Sequence, residues 1–87
     1  MTTDNNEKIK TGEEAQNVLE SPVVVGAFNQ ILNAGYQAWI STEPSDTKTR
    51  ESLYYQQRAT LEFKQTLIST VDNGKIAKNE IREGKNE

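Results

Sequence analysis

Between Ser21 and Thr42 the chain runs for 22 residues without a charged side chain, while the segments on either side are dense in Lys, Arg, Asp and Glu. Inside that stretch Val24, Val25, Phe28, Ile31, Leu32, Tyr36, Trp39 and Ile40 recur at the spacing of one helical face. The opposite face carries Asn29, Gln30, Asn33 and Gln37, which are polar but neutral. A helix that turns one side to water normally carries charge there. This pattern predicts an assembly helix whose apolar flank, and even its amide-bearing back, meets other protein.

The rest of the composition sharpens that expectation. Eighty-seven residues make one small domain at most, and only 33% of them are hydrophobic. A core this small is marginal on its own and usually needs a staple or a partner. The chain has no Cys and no His, so disulfides, thiolate or imidazole metal ligands and His-based catalysis are excluded. Self-association or docking on a partner is left to supply the missing stability. Ser21–Thr42 has the length of a membrane span. Its four amides would be costly in hydrocarbon, though, and Pro22 and Gly35 weaken a span further. The polar start MTTDNNEKIK lacks the apolar stretch of a secretory signal, and together with the absence of Cys it points to the cytoplasm.

Local signals predict the elements. Residues 1–10 read as a disordered arm. Thr11-Gly12-Glu13-Glu14 fits a capping box, opening a short helix with Ala15, Val18 and Leu19 inward. Ser21-Pro22 ends it and restarts a helix, with Ser21 as cap and Pro22 at the first helical position. That helix runs to about Ser41, with Gly35 at the centre of its apolar stripe, where another helix would approach closely. Thr42–Thr47 forms a turn around Pro44, with Ser45 or Asp46 capping a second long helix that runs from about Thr47 to Asn73. Asn73-Gly74 reads as its stop. Residues 75–87 form a charged, partly frayed tail. The expected fold is all-α: an antiparallel two-helix hairpin domain at 11–74 with a short leading helix, disordered termini and an oligomeric state. On the second long helix, Gln57, Thr60 and Lys64 divide two apolar flanks, Leu67 and Phe63 on one side and Ile68, Leu61 and Tyr54 on the other. One flank would meet the first long helix and the other a second subunit.

No catalytic constellation emerges. Ser and Thr lack a His or Cys to work with, and the acidic pairs Glu13/Glu14 and Glu43/Asp46 sit at helix starts or turns, where acids favour the helix dipole. No glycine belongs to a phosphate-cradling loop and no calcium-loop spacing occurs. The expected chain therefore has no catalytic residue, cofactor, metal or small-molecule ligand. Its candidate protein-interface residues are Phe28, Ile31, Leu32, Gly35, Trp39, Tyr54, Leu61 and Ile68. Trp39, near the turn, is the strongest single anchor, because Trp and Tyr dominate interface hot spots. Lys75, Lys78, Arg82 and Lys85 fall on one side if the tail is helical and are candidate nucleic-acid contacts, diluted by Glu80, Glu83 and Glu87. With a net charge of −3, tight nucleic-acid binding is not expected.

Glu20-Ser21-Pro22, Ala27-Phe28, Trp39, Thr42-Glu43-Pro44-Ser45-Asp46, Arg50-Glu51, Leu53-Tyr54 and Val71-Asp72-Asn73-Gly74-Lys75 together form a pattern of helix, Pro-Asp turn and helix. The chain resembles, over roughly residues 14–78, short helical-hairpin proteins encoded near the head and DNA-packaging genes of tailed bacteriophages. The resemblance implies a non-enzymatic phage accessory protein in the virion, in assembly or in packaging. Its partners would be itself and phage structural or packaging proteins, in the host cytoplasm or the virion. The main alternative is a small phage-encoded inhibitor that binds a host protein. A packaging adaptor using the basic tail is a further one.

Overall fold

The computed structural model describes residues 2–84 and consists of three helices with no strand among them: α1 (Thr2–Glu20), α2 (Pro22–Ile40) and α3 (Thr47–Arg82). At about 1.5 Å per residue, α3 alone is roughly 54 Å long. It spans nearly the whole 58 × 25 × 15 Å molecule. The two 19-residue helices lie along it in succession. Contacts run in antiparallel order from end to end. Asn5 reaches Glu80, Glu13 reaches Lys78, Phe28 meets Phe63, Leu32 meets Gln57 and Thr42 meets Arg50.

The break between α1 and α2 is a single residue. Ser21 is extended (φ −66°, ψ 123°), its Oγ accepts from the Val24 N–H at 3.5 Å, and Pro22 opens α2, as the Ser-Pro pair predicts. Ser41 caps α2 by donating its N–H back to Gln37 and Ala38. Asp46 caps α3 through Oδ1, which accepts from the Thr49 N–H at 3.3 Å. Both short joints place their caps where the sequence puts them.

The two ends differ from expectation. Residues 2–10 are helical and continuous with 11–20, so α1 is a full 19-residue helix in place of a short one behind a disordered arm. Thr11 is an exposed interior residue of α1 and caps nothing. Tertiary packing explains the gain. Asn5 and Ala15 are buried and Ile9 half-buried against α3, and the Asn5 Nδ2 donates to Glu80 Oε1 at 3.2 Å. A polar segment with little helical drive of its own is thus held by the helix it lies on.

Gly74 does not stop α3 either. It is buried inside the helix at the crossing with α1, opposite Gly12. A Cβ on Gly74 would fall 2.9 Å from the Lys8 carbonyl oxygen and 3.1 Å from the Gly12 Cα, so the two backbones touch. Helical glycine costs about 1 kcal/mol relative to alanine. Here that cost is offset by an approach no larger residue allows. The left-handed stop falls ten residues later at Gly84 (φ 74°), whose N–H returns to the Ile81 carbonyl at 3.0 Å. The 75–82 part of the expected frayed tail is therefore ordered helix, packed through buried Ala77.

Candidate protein-interaction surface

In a helix each residue turns by about 100°. With Val24 at 0°, the side of α2 that meets α3 centres near 40°, through Phe28, Leu32, Gly35 and Trp39. Phe28 is the buried residue of this half, 8% exposed, and its ring tilts against Phe63 with centroids 5.9 Å apart. Gly35 faces the Gln57 amide so closely that an added Cβ would collide with it. Gln57 Nε2 donates to the Leu32 carbonyl at 2.9 Å, while its Oε1 is buried without a partner. A polar side chain thus fills the middle of the α2–α3 contact. It holds the helices at amide distance instead of letting apolar groups interdigitate.

The turn end is clamped differently. Arg50 stacks its guanidinium 4.0 Å from the Trp39 ring centroid, and its Nη1 donates to Thr42 Oγ1 at 2.8 Å. Thr42 in turn donates that hydroxyl to the Trp39 carbonyl at 2.6 Å. A cation over an indole contributes about 0.5–1 kcal/mol at an exposed site.

Because the centre of the contact is filled by glycine and glutamine, the large apolar groups lie on the flanks. On one flank Val23, Val24, Ala27, Phe28 and Ile31 of α2 join Ala59, Thr60 and Phe63 of α3 around an open groove of about 440 Å³. Val23 is 80% exposed there, Phe63 61% and Ile31 45%. On the other flank lie exposed Tyr36, Tyr54 and Leu61 with half-buried Ile68. Tyr54 and Tyr55 meet edge to face at 5.6 Å, and Arg58 donates to the Tyr54 hydroxyl at 3.2 Å and to Glu62 at 3.0 Å. The bond to Glu62 first, and then the one to Tyr54, raises the Arg58 pKa further, so this exposed cation stays charged.

The eight residues singled out from sequence therefore divide. Phe28 is buried within the chain, Leu32 and Gly35 are half-buried at the Gln57 contact, and Trp39 lies under Arg50. Ile31 stands on the groove flank; Tyr54, Leu61 and Ile68 stand on the opposite one. Val23, Ala27, Ala59 and Phe63 of the groove were not among them. A signal for the two on α2 exists in the run Val23, Ala27, Ile31, Ala34, Ala38, which repeats every four or three residues. It is muted because three of its five members are alanine.

The basic positions are not a single open patch. Lys78 pairs with Glu13 across to α1 at 3.8 Å, and Arg82 donates to Asn79 at 2.8 Å. Lys75 is exposed on the same helix, and Lys85 lies outside the described residues. Among the described residues no group of acidic side chains is placed to hold a metal ion, and no helix is long and apolar enough to cross a membrane. Comparison with protein-family models, with curated proteins and with solved structures finds no match to this chain.

Proposed function

We propose that the chain is a non-enzymatic assembly protein that works by helix–helix contact. In the setting its sequence resembles, it would be a virion or DNA-packaging accessory of a tailed phage, acting in the host cytoplasm or on the particle. One observation carries this reading: the most apolar helix of the molecule, uncharged from end to end, buries a single aromatic residue within the chain and leaves Val23, Val25, Ile31, Tyr36 and Ile40 exposed. Apolar area left in water forfeits about 25 cal/mol per Å², a standing drive for association. Exposed clusters of this kind mark protein-interaction sites.

The Tyr54, Tyr55 and Arg58 cluster supports a second reading, an inhibitor that grips one host protein, because Tyr and Arg are enriched at interface hot spots. Affinity capture with the full chain from infected cells, with mass spectrometry of purified particles, separates the two. Recovery of capsid or packaging proteins, or of the chain in particles, supports assembly; one dominant host enzyme supports inhibition. A folded monomer that captures neither overturns both.

A further inference from the structure

The groove between α2 and α3 has a charge state and a residue spacing that fit one occupant, and the chain as a whole has surface to spare. We propose that it is covered by α2 of a second copy of this chain, antiparallel and related by a two-fold axis beside Ile31. This rests on the assembly reading and names its first partner.

Area is the first argument. A compact folded monomer of 9.8 kDa exposes about 5,200 Å² by the usual scaling. This chain exposes 6508 Å², an excess of roughly 1,300 Å². A stable standard-size interface removes about 800 Å² from each partner. The surplus is that of a long, thin molecule of 58 × 25 × 15 Å, and a second copy laid against the α2 half would close a four-helix arrangement there.

Charge is the second argument. The face offered by α2 carries none, so two copies meet without like charges opposed. The acidity lies elsewhere: residues 1–20 carry five acids against two lysines. A parallel pairing would bring both α1 helices to the same end. An antiparallel one sends them to opposite ends.

Register is the third. On the α2 wheel Val23, Ala27, Ile31, Ala34 and Ala38 lie within roughly 260–340°, on the groove side of the α3 contact. An axis beside Ile31 sets Val23 against Ala38 of the other copy, Ala27 against Ala34, and Ile31 near its own counterpart. Large meets small in the outer layers. The alanines admit close helix approach, at interaxial distances of about 8–10 Å. Phe63, standing at the rim of the groove, then gains a second wall.

The chain has no cysteine, which makes the test clean. In the full-length protein, Ile31→Cys should form a disulfide-linked dimer on mild oxidation, because near a two-fold axis the paired Cα atoms fall within about 7 Å. Tyr36→Cys, on the opposite flank, should not. In sedimentation over a concentration series the native chain should be a dimer, Ala34→Glu should shift dissociation at least tenfold towards monomer, and Tyr36→Glu should leave it unchanged. Ala34 is exposed in the single chain, so circular dichroism of the Glu variant should show undiminished helix. A native chain that stays monomeric at high micromolar concentration overturns the proposal while leaving assembly on other proteins standing. Cross-linking through position 36 in place of 31, or an odd-numbered oligomer, overturns the seam and its symmetry while leaving self-assembly standing.

Discussion

The two halves of the molecule use one long helix in opposite ways. Along residues 67–82, α3 meets α1 through small or polar groups: Asn5, Gly12 and Ala15 against Val71, Gly74 and Ala77, all buried. Along residues 50–64 it meets α2 through Gln57, Leu53 and Thr60, which are only half-buried, while the large apolar residues stand to either side. The charged half is the closely packed one and the uncharged half is the open one. Burial follows distance more than hydrophobicity. Where two glycines let backbones touch, even Asn5 is enclosed; where the Gln57 amide separates the helices, Phe63 remains mostly in solvent. The α1 half encloses its central contact residues, and the α2 half leaves most of its large apolar side chains in solvent.

That contrast can be broken by substitution. The largest effect is expected from Phe28→Ala, which empties the one buried aromatic of the open half. Loss of about 3 kcal/mol in chemical denaturation is expected, since large-to-small changes at buried aromatics typically cost that much. A cost under about 1 kcal/mol would mean that α2 is hardly held by α3 at all. Next comes Gly74→Ala. The added methyl meets backbone that cannot give way, so a net loss of about 1–2 kcal/mol is expected despite the better helix propensity of alanine. Hydrogen exchange should locate the loss in residues 2–20, with α2 unaffected; uniform loss along the chain would show that the halves are not separable. The smallest change is expected from Gly35→Ala. Its methyl meets only the end of the Gln57 side chain, which can swing to water and take its unpaired oxygen with it. Thermal melting should move by an amount equivalent to less than about 0.5 kcal/mol, because the clash is offset by the roughly 1 kcal/mol gain of removing a helical glycine. If Gly35 proves as intolerant as Gly74, the two contacts are alike and the contrast fails.

Much of the architecture is legible in the residues. The all-α class, the Ser21-Pro22 joint and the Asp46 cap are local events, decided by side chains within one turn of where they act. The same locality misleads at Asn73-Gly74 and at residues 1–10. A helix-stop dipeptide and a polar, weakly amphipathic segment look like an ending and a loose arm until Gly12 and Gly74 meet across the molecule. The candidate surface is half legible for a related reason. Large residues such as Ile31, Tyr54 and Leu61 announce themselves by period. The groove is completed by Ala27 and Ala59, whose contribution depends on what stands beside them.

Sequence alone determined that this chain is helical, where its two inner breaks fall, and that one helix is apolar and free of charge along its whole length. Those are properties of short windows, set by backbone geometry, capping and hydrophobic period. Only the tertiary structure decided which glycine ends a helix and which one seats a neighbour, and on which flanks the apolar groups were left outside. Those outcomes depend on contact between segments some twenty to seventy-five residues apart, which no local pattern encodes.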